Sequence, residues 1–235
     1  MTLFDRIRRY KRAGSRHPAV DPVPNRTCSE LEVDAWHLSA FIVERLIPVV
    51  GIHPFPIHEL LLACAAVCRY RPSHIFEWGT HIGKSARMFY ETTEHYGIPA
   101  NIHSIDLPDD VSHVEHPSQE RGRMVRGLPR VHLHQGDGLD VAMRVWNSEG
   151  RPEQVLFFLD GDHAEQSVYR ELSRIVSEVQ TPLLLLHDTF YQSAASRYNT
   201  GPHQAIERIM AEHPKRFRRH DSGIGLPGMS LLYPS

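Results

Sequence analysis

Two short segments of the chain end an apolar run in side chains that can do chemistry. "FFLDGDH" delivers Asp160, Asp162 and His163, and "LLLLHDT" delivers His187 and Asp188. If both runs are neighbouring parallel strands, Asp160 and Asp188 converge in one cleft. Two carboxylates so placed repel each other unless a cation or a proton lies between them. A bound divalent ion meets that need, and it would also grip and acidify a substrate hydroxyl. His163, three residues after Asp160, has an imidazole that accepts a proton near neutral pH. The alternative role for His163 is a cap on a helix beginning near Ala164.

A third segment, "HIFEWGTHIGKSARMF", resembles two nucleotide-binding loops at once. A P-loop needs glycine where Trp78 stands, and Gly79 comes one residue too late. A dinucleotide fingerprint needs Gly-x-Gly-x-x-Gly, whereas here Gly79 and Gly83 are separated by three residues. Glu77 occupies the strand end, where a pyrophosphate would be repelled. The loop therefore suits a ligand with cationic or hydroxyl-rich groups and no phosphate, such as S-adenosylmethionine.

Gly79, Thr80 and Gly83 would let the backbone approach such a ligand, and helix amides near Ser85 would face its carboxylate. Asp106, closing "IHSID", stands where ribose-binding acids sit in such folds. Asp137 and Gly138 in "HQGDGLD" fall where the adenine amino group would lie. Asp160 borders the same ligand. Taken singly, each of these acids is equally a solvated loop residue or a helix cap. Their position at successive strand ends is what unites them.

These side chains need a scaffold that brings strand ends together. "HIFEW", "IHSID", "VHLHQ", "VLFFLD" and "PLLLLHD" are short apolar runs, most of them separated by helical stretches such as "KSARMFYETTEHYG" and "SVYRELSRIVSEV". That alternation predicts an α/β, Rossmann-like, doubly wound and mostly parallel sheet. "RFRRHDSGIGLPGMSLLYP" predicts a C-terminal antiparallel hairpin around a Gly/Pro turn. Upstream, "CSELEVDAWHLSAFIVERLIP" and "IHELLLACAAVCRY" are helical, with Pro48 ending the first. The expected division is a helical N-terminal extension over 1–72 and a Rossmann-like domain over 73–235. The N-terminal helices suit either a homo-oligomer face or a pocket wall.

The 235 residues are 41% hydrophobic and 23% charged, with a formal net charge of −2. That balance gives no support to nucleic-acid binding, and no apolar run is long enough for a membrane span. The basic "MTLFDRIRRYKRAGSR" lacks the apolar stretch of a secretory signal. Cys64 and Cys68, one helical turn apart among apolar neighbours, read as buried thiols, and the expected location is cytoplasmic. "VHLHQ" sets His132 and His134 on one strand face without a third metal ligand in sequence reach.

Together, "IFEWGTHIGKS", "IHSIDL", "LDGDHAEQSVYREL", "LLLLHDT" and "GLPGMSLLYP" resemble, in order, the class I S-adenosylmethionine-dependent methyltransferases. The nearer resemblance is to the bacterial small-molecule O-methyltransferases that include cephalosporin-hydroxylase-like, macrolide-sugar and rhamnosyl enzymes, and it spans roughly residues 55 to 235. The resemblance implies methylation of a hydroxyl on a sugar, phenol or specialised metabolite. It implies metal ligands at Asp160 and Asp188, and a general base at His163. The remaining ligand position, an acid or amide in metal-dependent relatives, is here His187 or Thr189. Histidine suits iron, nickel, zinc or, less so, manganese better than magnesium. A metal-free enzyme, a nicotinamide-dependent oxidoreductase and a non-catalytic binding member are the competing readings. Polar segments after the second and fifth strands, the latter with Phe190, Tyr191 and Tyr198, have the length of lids.

Overall fold

A computed structural model describes residues 20–111, 120–191 and 200–235. The basic arm, half of the two lid-like segments and Tyr198 lie outside the described residues. Seven strands form one sheet in the order β3-β2-β1-β4-β5-β7-β6. They are β1 (His74–Trp78), β2 (Asn101–Asp106), β3 (Val131–Gln135), β4 (Val155–Leu159), β5 (Leu183–His187), β6 (Phe217–Asp221) and β7 (Met229–Pro234). The first five pair in parallel, and β7 runs antiparallel to both β5 and β6. The predicted hairpin is thus inserted with its second strand inward. Strand order reverses between β1 and β4, the place where open α/β sheets bind ligands.

Helices cover both faces. On one side lie α3 (Ile57–Tyr70) and α4 (Lys84–His95), with the N-terminal α1 (Ala35–Phe41) and α2 (Ile47–Val50) outside them. The other side carries α5 (Gly138–Ser148), α6 (Glu165–Glu178) and α7 (Gly201–Glu212). The apolar residues of β1, β4 and β5 alternate between these layers: Ile75, Phe158 and Leu185 face α3, whereas Phe76, Phe157 and Leu186 face α6. β1, β4 and β5 are buried throughout, as strands covered on both faces must be. The N-terminal helices share one continuous cluster with β1, β4, β5 and β7. The packing is continuous across residue 72.

Two helical expectations are corrected. The first helix starts at Ala35 rather than near Cys28, because the Asp34 carboxylate accepts from the Trp36 and His37 amides and caps it there. Pro48 does not end it. The ladder widens to a π-helical turn over Ile42–Leu46, with the Ile47 amide reaching back to the Ile42 carbonyl. A proline is normally excluded from a helix interior by its missing N–H and by its ring. The widened turn accommodates it, and the helix ends at Gly51, whose φ is 74°.

Candidate active site at the strand carboxyl ends

The loop leaving β1 is built by close approach. Gly79 has φ 95°, and a Cβ there would meet the Asp160 carbonyl oxygen at 2.1 Å. Only glycine satisfies both conditions. Gly83, φ 90°, precedes α4, whose first turn has no side-chain cap. Its amides are thus available to an anion.

Glu77 is buried beneath this loop. The Ser104 hydroxyl donates to its Oε1, the Ser104 and Thr80 hydroxyls lie 2.7 Å apart, and Oε2 is buried without a hydrogen bond. Burial pushes the Glu77 carboxyl up to about 7, against the opposing effect of the Ser104 and Ser85 hydroxyls. An unsatisfied buried carboxylate oxygen under a glycine cradle is what a cationic, phosphate-free ligand requires. The chain therefore fits the cosubstrate that its sequence implies.

Asp106 ends β2. Its Oδ2 accepts from the His81 amide at 2.9 Å and its Oδ1 from the Leu107 amide at 2.8 Å. The carboxylate is thereby fixed against the β1 loop. Asp137 stands farther out. Its Oδ1 caps α5 through the Asp140 amide, and its Oδ2 lies 3.2 Å from Arg170 Nη2. Gly138 has a packing role: a Cβ there would meet the Trp78 ring at 2.4 Å.

The carboxyl ends of β4 and β5 hold the second half of the site. One ligand atom from each of Asp160, His187 and Asp188 lies within 4.8 Å of the others, the only such metal-compatible group among the described residues. His187 Nδ1 is 3.0 Å from Asp160 Oδ1 and 3.4 Å from Asp188 Oδ2. Donors sharing one ion at about 2.1 Å stand roughly 3.0–3.4 Å apart, so the two His187 separations match a shared cation as well as hydrogen bonds from the ring. Asp188 adopts a left-handed backbone, φ 56°, the kind of strain that concentrates at functional sites. Thr189 is turned away, and its hydroxyl accepts from Ser230 at 2.8 Å. Of the two sequence candidates for the third position, His187 is the one facing Asp160.

His163 Nε2 lies 3.2 Å from Asp188 Oδ2 and 3.8 Å from Asp160 Oδ1. The neighbouring Asp160 raises its pKa, with burial opposing. It is Asp162, not His163, that assists the start of α6, accepting from the Ala164 amide at 3.0 Å. For His187, burial disfavours the charge, but Asp160, Asp188 and Glu59 outweigh it and hold its pKa well above the usual imidazole range. Asp160 behaves in mirror fashion: burial raises its carboxyl, but His187 and His163 bring it below its ordinary value.

Glu59 is the residue sequence reasoning missed. It projects from α3 with no exposed surface. Its Oε2 lies 3.0 Å from His187 Nε2, and its Oε1 accepts from the Gly228 amide at 2.7 Å. A single acid on the apolar face of "IHELLLACAAVC" was the available signal. Phe55 packs edge-on against the His187 ring at 4.8 Å. Among the lid residues, Phe190 is anchored by its amide to the Pro227 carbonyl, and the ring of exposed Tyr191 lies tilted against His203 at 4.8 Å.

Fold and site together define a Rossmann-like S-adenosylmethionine-dependent methyltransferase. Residues 56–224 match the family model described as rhamnosyl O-methyltransferase/CmcI, and the chain belongs to that family of O-methyltransferases. The fold is similar to that of an O-methyltransferase from Bacillus cereus in complex with SAH. That pair shows 16% identity, coverage of 82% of this chain and 90% of that one, and a TM-score of 0.53. It is similar also to a methyltransferase from Geobacter sulfurreducens, at 18% identity, 98% and 96% coverage, and TM-score 0.52. The SAH-bound methyltransferase of Podospora anserina shows 17% identity, 99% and 95% coverage, and TM-score 0.52. None of the curated proteins matches the chain in sequence. Among the described residues, no helix is long and apolar enough to cross a membrane.

Proposed function

We propose that the chain transfers the S-adenosylmethionine methyl group to a hydroxyl of a small molecule, with a divalent cation held by Asp160, His187 and Asp188. His163 is the general base. The observation that carries this reading is the convergence of those three ligand groups, with His163 beside them, next to the Gly79 loop.

Glu77 and the α4 amides orient the methionine end, Asp106 holds the ribose, and the turn at Asp137 and Gly138 borders the adenine. His163 Nε2 takes the hydroxyl proton as the oxygen forms its bond to the methyl carbon. The carbon–sulfur bond breaks with its electron pair on sulfur, leaving a neutral thioether. A cation bound by Asp160, His187 and Asp188 would supply Lewis acidity that lowers the pKa of the hydroxyl. The remaining task of the protein is alignment and water exclusion. A sugar, phenol or specialised-metabolite hydroxyl is the acceptor class, in keeping with the rhamnosyl enzymes of the family.

Calorimetric titration of S-adenosylmethionine into chelator-treated protein tests the reading. Saturable binding near one site per chain is expected, weakened about tenfold or more by Asp106→Ala through loss of charged hydrogen bonds. Absence of binding to folded protein would remove the methyltransferase assignment of these residues. Undiminished affinity in the variant would remove Asp106 alone.

A further inference from the structure

We infer that Glu59 is a positioning residue that commits His187 Nε2 as a hydrogen-bond donor, turns Nδ1 into the ligand atom, and so selects a transition metal over magnesium. The inference rests on the metal-assisted reading above, but it concerns which ion the site takes and why.

His187 is 4% exposed, and its two ring nitrogens face different partners. Nε2 has Glu59 Oε2 at 3.0 Å, and Nδ1 has the aspartates Asp160 and Asp188. A carboxylate only accepts, and each ring nitrogen faces one, so the metal-free ring donates from both; an ion between the aspartates would take the place of the Nδ1 proton, while Nε2–H stays on Glu59 and leaves Nδ1 as the ligand atom. This is the carboxylate–histidine–metal arrangement that fixes a ring and increases its basicity as a ligand. Glu59 is itself held by the Gly228 amide at 2.7 Å, so it cannot swing away without breaking the entry to β7. The mixed set of two carboxylates and one imidazole suits manganese, iron, cobalt, nickel or zinc. Magnesium requires hard oxygen donors and gains little from the nitrogen.

The test uses the full chain with Co2+ and Mg2+ as probes, following Co2+ visible absorption and calorimetry, and Mn2+ electron spin-echo for coordinated nitrogen. Wild type should bind Co2+ much more tightly than Mg2+ and show nitrogen coupling to Mn2+. Glu59→Gln, which keeps the shape of the side chain, should lower Co2+ affinity roughly 10–100-fold and leave Mg2+ affinity nearly unchanged. In that background His187→Asp should abolish the nitrogen coupling and raise Mg2+ affinity about tenfold by restoring an all-oxygen set.

Melting curves of both variants verify folding. If Glu59→Gln fails to fold, the nitrogen coupling and ion preference of wild type still decide. Equal affinity for the two ions, or no nitrogen coupling, overturns the inference. If S-adenosylmethionine binds but neither ion does, this inference falls and the methyltransferase reading stands; loss of S-adenosylmethionine binding strikes that reading instead.

Discussion

His187 and His103 lie in the same sheet and are equally buried, at 4% exposure each, yet their environments push them in opposite directions. His187 sits among Asp160, Asp188 and Glu59 and is held well above the ordinary imidazole range despite its burial. His103 lies on the α5 face among its own kind. It stacks on His132, His74 and Phe76, and its Nδ1 is 3.2 Å from His134 Nε2. Burial first, then these imidazoles, push His103 down to about 3. Desolvation acts on both rings alike, so the neighbours decide the sign. The three carboxylates make a place for positive charge. The imidazole row makes a neutral wall, with rings stacked rather than converging on a point.

That contrast can be broken in order of effect. His163→Ala removes the proton acceptor beside the charged cluster and should lower turnover by roughly 100-fold or more. Single-turnover conversion of S-adenosylmethionine with a responsive acceptor, alongside unchanged cosubstrate binding, measures it. Normal turnover would reduce His163 to a bystander.

His187→Leu leaves Glu59, Asp160 and Asp188 facing one another without a cation. In metal-free protein the expected loss is roughly 3–5 kcal/mol, the scale for removing one partner of a buried charge cluster, read by urea denaturation at pH 7. A loss below about 1 kcal/mol, no more than an exposed ion pair contributes, would mean that His187 is not the group balancing that charge.

His103→Leu should cost little at pH 8. The sign of its pH effect follows from the depressed folded value. Below about 6.5 the unfolded chain takes up a proton that the folded chain refuses until about 3, so stability falls as pH falls through that window. The leucine variant should lose less stability between pH 7 and pH 5 than wild type does. His74 and His134, also depressed by burial, retain part of the dependence. Parallel melting curves for both proteins would show instead that His103 is not responsible.

The sheet was legible because its strands are short apolar runs closed by polar residues, separated for the most part by helical stretches. The Asp160, His187 and Asp188 cluster was legible for the same reason: adjacent parallel strands end side by side. Contacts made across long separations were not. Glu59 lies 128 residues from His187, and nothing local announces the pair. His103 completes the His132 and His134 group only through the β2–β3 register. Asp137 holds two positions at once, because a residue at a strand end also begins a helix, and its cap and ion pair engage both oxygens. Pro48 misled for a local reason: a widened turn hosts a proline that an α-helical ladder would reject.

Gly79 and Asp160 also form a mechanical joint. The absent side chain of residue 79 is what lets the loop after β1 lie against the Asp160 backbone, since a Cβ would stand 2.1 Å from that carbonyl. The loop cannot advance without displacing the backbone from which the Asp160 carboxylate hangs. A ligand seated against the Gly79 loop and one seated at Asp160 would therefore bear on the same joint, and any coupling between them would be reciprocal.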